Sequence, residues 1–185
     1  MFNIMKFRSI ILKRVRFLFD GVKFARLSGV KVGSDCRIYT KEFGSEPFLI
    51  EIGNRVTISS NVTFINHDGA AWLIGDERGR RYLYDRIVVS DFAFIGANVT
   101  ILPGVRIGRN VIVGAGSVVT RSIPDDCVVA GNPARYICSF EDYRSRALRW
   151  PAEEQIDRSG SYAKAVNSIS FNLTKPELER TRFSR

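Results

Sequence analysis

Residues 89–119 read VSDFAFIGANVTILPGVRIGRNVIVGAGSVV. Val89, Ile95, Ile101, Ile107, Val113 and Val119 recur at steps of six, and Ala93, Val99, Val105, Val111 and Ser117 repeat four places after the first five of them. A period of six suits neither an amphipathic helix nor a simple alternating strand, but it does suit a short strand and a tight corner stacked on copies of themselves. Such units pair their backbones with the turn above and the turn below. The β-branched residue points into a narrow prism, and Gly or Asn at the corner tolerates the dihedrals of a sharp turn. The stretch therefore predicts a parallel β-helix.

Working outward, the same ladder continues upstream at Val32 and Ile38 and at Ile52, Ile58 and Phe64, with Cys36, Val56 and Val62 at the fourth position. Between Phe64 and Val89 it is interrupted, and Ile65 to Arg86 is expected to protrude as a loop. The only histidine of the chain, His67, stands at its entrance.

A chain of 185 residues with 45% hydrophobic content has room for one well-packed domain and an appendage. Three cysteines, Cys36, Cys127 and Cys138, without CxxC or Cys/His spacing, predict neither a disulfide framework nor a zinc site, so no metal is expected. A reducing, cytoplasmic setting fits that usage. Of the net charge of +9, residues 1–31 carry seven, with eight Lys and Arg against Asp20 alone, and the remainder is nearly neutral. This concentration, without aromatic-interleaved motifs, argues against a nucleic-acid surface.

The basic segment places Ile4, Phe7, Ile11, Val15, Leu18, Val22 and Ala25 on one helical stripe, which predicts an amphipathic helix over residues 1–28. Its charged interruptions exclude a signal peptide and a membrane span. The stripe is expected to pack on its own domain or on a sister subunit; the alternative is peripheral contact with an anionic membrane surface. The repeat domain is expected over 29–137. The remaining residues, 138–185, are expected to hold a short C-terminal helix over Tyr143 to Trp150, opened by the capping-box spacing of Ser139 and Asp142, then a polar tail with a second short helix at Pro176 to Arg180.

The blocks Ile95-Gly-Ala-Asn, Leu102-Pro-Gly, Gly114-Ala-Gly-Ser-Val-Val-Thr-Arg, Ile123-Pro and Ala130-Gly-Asn-Pro-Ala-Arg resemble the hexapeptide-repeat acyltransferases. The likeness extends over about Val32 to Ile137. Asn66-His67-Asp68-Gly69 followed by Trp72 is most similar to the sugar O-acetyltransferases of that family, including those of capsule and lipopolysaccharide. The resemblance implies an all-β, left-handed parallel β-helix, whose hand departs from the usual crossover preference, and a homotrimer with sites between subunits.

It further implies acetyl-CoA as acyl donor and a carbohydrate hydroxyl as acceptor, with His67 as general base. A neutral imidazole, with an ordinary pKa of about 6.5, accepts a hydroxyl proton near neutral pH. Asn66 and Asp68 are expected to orient the base or bind the acceptor, unless they are ordinary turn residues, and a carboxylate from elsewhere could also do the orienting. Trp72 is expected at the acceptor. For the donor the resemblance points to Gly96, Ala97, Gly114 and Ala115 along the coil wall, to Thr120 and Arg121, and to Asn132, Pro133 and Arg135 near the nucleotide phosphates. Cys138 replaces a basic residue that some relatives carry there. An amino-sugar-nucleotide N-acetyltransferase and a serine-type O-acetyltransferase are the alternatives. They usually bring larger N-terminal domains than the 28 or so residues before the coils.

Overall fold

The computed structural model describes residues 20–170. The described residues divide into two compact units, the first ending at Tyr143 and the second beginning at Arg144.

In the first unit the strands are two or three residues long and enter three parallel sheets in rotation. The first face holds β1 (Lys31–Val32), β3 (Ile50–Ile52), β8 (Ile87–Val89) and β11 (Arg106–Ile107). The second holds β2 (Arg37–Ile38), β4 (Thr57–Ile58), β9 (Phe94–Ile95), β12 (Ile112–Val113), β14 (Cys127–Ala130) and β15 (Arg135–Ser139). The third holds β5 (Thr63–Phe64), β10 (Thr100–Ile101) and β13 (Val118–Val119).

Pairing follows the repeat: Ile58 lies opposite Ile95 and Ile95 opposite Val113, while Phe64 lies opposite Ile101 and Ile101 opposite Val119. Three hexads make one coil. The final strand breaks the pattern, because β15 returns antiparallel to β14 with an irregularity between Val128 and Val129.

The ladder residues fill the prism. Ile58, Ile95, Ile101, Ile107 and Val113 are fully buried, as are Val56, Val62, Val99 and Val111 four places after their ladder partners. Truncating any one of them would remove apolar contacts on every side at once. Val32 and Cys36, in the first coil, are only partly buried, and the Cys36 thiol lies 3.1 Å from the carbonyl oxygen of Gly53.

The corners show what the period demands of the backbone. Asp35, Arg55, Phe92, Asn110 and Asp126 all have φ between 52° and 60° and form the corner that leads into the second face, while Asn61 and Asn98 serve the corner into the third. The left-handed region is thus occupied by Arg and Phe as well as by the Asn and Gly the repeat favours. At Phe92 the ring is held between Arg55 and Arg109, each 5.3 Å from its centroid. Asn110→Ala is expected to destabilise the protein by about 1 kcal/mol, because alanine keeps the Cβ at positive φ but lacks the polar side chain that makes this backbone tolerable to Asn. Asn110→Gly, which loses the same 2.9 Å bond to Asp126, should cost less; thermal unfolding of the two variants checks the difference.

Of the N-terminal helix expected over 1–28, the described part is α1 (Gly21–Ser28), capped by the Asp20 carboxylate on the Lys23 amide and closed by Gly29. Residues 1–19, with most of the apolar stripe and the proposed membrane contact, lie outside the described residues. The buried residues of α1 are Ala25, on the expected stripe, and Phe24, off it. Phe24 is drawn inward because its ring stacks on Phe43, which stacks on Phe64.

The C-terminal helix begins earlier than its expected span of Tyr143 to Trp150. It is α2 (Phe140–Ala147), because Ser139 itself caps the first turn: its hydroxyl accepts from the Asp142 amide at 3.0 Å and donates to the Asp142 carboxylate at 2.6 Å. The second unit contains α3 (Tyr162–Ser168), capped by Ser161. The helix expected at Pro176 to Arg180 lies outside the described residues. Among the described residues no helix is long and apolar enough to cross a membrane.

Candidate active site

Two excursions leave the coil at the same corner, between the third face and the first. The shorter runs from Gly44 to Leu49, after Phe43 and before β3, and the longer from Ile65 to Arg86, between β5 and β8. Because they start one coil apart, they lie side by side, and this adjacency makes the site. In the longer excursion a helical turn at Gly69–Leu73 is followed by a hairpin of β6 (Gly75–Asp76) and β7 (Gly79–Arg80). Its root is pinned by the Asp85 amide donating to the Asn66 carbonyl at 2.9 Å and by a bridge between His67 and Tyr84.

His67 Nδ1 lies 2.9 Å from the Glu46 carboxylate, supplied by the shorter excursion. An ionised carboxylate only accepts hydrogen bonds, so a neutral imidazole facing one at Nδ1 has its proton there and its lone pair on Nε2. The imidazole side chain is 39% exposed and the carboxylate 17%. The imidazole thus has an open side while the carboxylate is shielded. The Tyr84 ring, 5.6 Å from the imidazole and tilted by 48°, covers another flank.

Glu46 was not among the residues expected from sequence. One signal pointed near it: the ladder steps from Ile38 to Ile52 by fourteen, two more than a pair of hexads. That surplus marks an excursion directly above the histidine loop.

The two residues expected to orient the base do other work. Asp68 accepts from the Ala70 amide at 2.8 Å and caps the helical turn. Asn66 is fully buried, and neither its amide nitrogen nor its oxygen has a hydrogen-bond partner among the described residues, so it does not hold the imidazole. It packs so tightly that a Cβ on Gly44 would fall 2.7 Å from its side-chain oxygen, and Gly44 has φ +67° besides. Trp72 is 69% exposed on the helical turn, with the Arg80 guanidinium 4.9 Å over its ring.

Of the residues assigned to the donor, Gly96, Ala97, Gly114 and Ala115 lie at the corner that leads into the third face. Ala97 and Ala115 precede β10 and β13 and sit one above the other, with the Gly116 amide donating to the Ala97 carbonyl at 2.8 Å. Gly96 is required by this stacking, since a Cβ there would come within 2.5 Å of the Ala115 amide nitrogen; at Gly114 a Cβ would meet that of Ala130 at 2.8 Å. Thr120 and Arg121 follow β13, at the opposite end of the strands and on the edge from which His67 projects. Asn132 and Pro133 form a turn with a cis bond, and Arg135 opens β15. Arg121 and Arg135 are exposed, and neither forms an ion pair with another described residue. Both are available for phosphate.

Among the described residues no group of three or more His, Cys, Asp or Glu is placed to hold a metal ion. The Cys127 thiol is pushed up in pKa by burial and by the charges of Asp126 and Asp125, which disfavours the thiolate a nucleophile requires.

Residues 86–121 match the family described as bacterial transferase hexapeptide (six repeats). Protein CapG of Staphylococcus aureus is 45% identical over 126 residues, covering 66% of this chain and 73% of CapG. The chain belongs to the hexapeptide-repeat transferase family. Like the named members of that family it is an acyltransferase. Galactoside O-acetyltransferase of Lactococcus lactis is 40% identical over 87 residues, covering 45% of this chain and 40% of that protein. A hexapeptide-repeat-containing acetyltransferase of Vibrio cholerae shares the fold, with a TM-score of 0.54 at 24% identity over 76% of this chain and 94% of that one.

Proposed function

We propose that the protein transfers an acetyl group from acetyl-CoA to a hydroxyl of a carbohydrate, with His67 as general base. The observation that carries this reading is the 2.9 Å contact between His67 Nδ1 and Glu46, which leaves Nε2 free on the open side of the ring. Acetyl-CoA, when bound, supplies an activated thioester. Nε2 takes the proton of the attacking hydroxyl as the new C–O bond forms; when the C–S bond breaks, the same proton passes to the departing thiolate. Glu46, fixed behind the ring, favours the imidazolium that exists in between. No side-chain nucleophile enters, in keeping with the suppressed Cys127 thiolate.

Ala97 and Ala115 would pass the pantetheine arm, and Arg121 and Arg135 would meet its phosphates. The alanines precede the third-face strands and His67 follows them, with Thr63 of its coil lying opposite Thr100. This separation supports drawing the base from one copy and the donor wall from its neighbour in a left-handed, homotrimeric assembly. The same reading carries a cytoplasmic setting, where acetyl-CoA would be at hand, and a transferase domain over 29–137.

The test is thiol release from acetyl-CoA against a panel of sugars, oligosaccharides and amino-sugar nucleotides. Release with a carbohydrate hydroxyl acceptor, giving an ester, is expected; release only with an amino sugar, giving an amide, or only with serine, replaces this reading. Ala115→Trp is expected to raise the KM for acetyl-CoA by about tenfold or more through overlap with the donor, leaving the acceptor KM unchanged.

A further inference from the structure

The long excursion carries more apolar surface than a solvated loop requires. Trp72, Tyr82 and Tyr84 are exposed by 69%, 63% and 51%, yet their rings are ordered against one another. Tyr82 and Tyr84 stack with centroids 6.2 Å apart and planes within 14°. Arg80 lies between two rings, 4.5 Å from Tyr82 and 4.9 Å from Trp72. With Tyr84 5.6 Å from His67, the series runs without a gap from the base to Trp72.

The cations of this loop are not equivalent. Arg78 and Arg81 are engaged by Asp76, and Arg86 by Glu51. Arg80 is gripped by rings and has no carboxylate among the described residues. A guanidinium in contact with two aromatic rings has less rotamer freedom left to lose than a solvated one, and its N–H groups can still meet an anion.

We propose that this series is an extended acceptor platform for an acidic oligosaccharide. The sugar to be acetylated would lie beside His67, neighbouring rings would rest on Tyr84 and Tyr82, and a sugar carboxylate would meet Arg80. The chemistry suits that class: C–H faces of pyranose rings pack on aromatic faces of like size, and one unpaired guanidinium at a distance from the base selects a chain over a single sugar. The proposal rests on the acetyl-transfer reading for what happens at His67, but not for binding.

Calorimetric titration of the intact protein tests it, with oligosaccharides of glucuronate and N-acetylhexosamine against neutral glucose oligosaccharides of equal length. Affinity should rise with chain length and favour the acidic series by about tenfold. Arg80→Gln should abolish that preference, and Tyr82→Ala should weaken both series. Equal affinity for the two series, or no effect of Arg80→Gln, overturns the platform. So does dissociation of the native oligomer by either loop variant in sedimentation, since the surface would then be a subunit contact. Acidic chains that bind through Arg80 but are never acetylated would overturn the transfer reading and leave the platform standing.

Discussion

His67→Ala is expected to lower kcat by about a thousandfold while leaving unfolding behaviour and the acetyl-CoA dissociation constant close to the parent. The magnitude is that of a positioned general base. The sparing of stability follows from the position, because the imidazole is 39% exposed and stands outside the packed prism. Its replacement opens no core cavity and strips no coil hydrogen bond. Parallel calorimetry with acetyl-CoA and steady-state thiol release separates the two effects. A fall in both binding and turnover would instead make His67 a donor contact.

Glu46→Gln is the second large effect, expected at about tenfold to a hundredfold on kcat, below the loss from removing the base itself. Glutamine keeps the shape and can still accept from Nδ1–H, so the ring stays in place. What it lacks is the charge that favours the imidazolium once the hydroxyl proton has arrived. KM for both substrates should therefore hold while kcat falls, the pattern of an interaction made during the reaction rather than on binding. Glu46→Ala should lose more, since the ring is then free to turn and either nitrogen can carry the proton. If Glu46→Gln matched the parent, the 2.9 Å contact would be a structural bridge between two loops.

The coil was legible because a repeat writes its geometry many times over. Ile95, Ile101, Ile107 and Val113 each vote for the same inward position, and all are fully buried. The corner chemistry was only half legible. Asn98 and Asn110 announce a left-handed residue, but Arg55 and Phe92 adopt the same φ because the stacked coils impose it, and side-chain preference yields to that context. The β15 return was not signalled, since Arg135–Ser139 carries no hexad and its direction is set by antiparallel pairing with β14.

In the site, His67 was legible as the residue at the break, whereas Glu46 was not, since its partnership spans 21 positions and depends on two excursions leaving one corner. The sequence neighbours of His67 drew the orienting role by proximity. The chain direction gave those neighbours other tasks: Asn66 points into the core, and Asp68 turns to cap the next residues.

The most direct measurement of the central claim is the product of the reaction followed by NMR with carbon-13-labelled acetyl-CoA and an accepted carbohydrate. The account predicts an ester carbonyl that grows in step with released CoA for the parent protein, and growth about a thousandfold slower for His67→Ala. Ester formed at equal rates by the two proteins, or label in an amide instead, would contradict it.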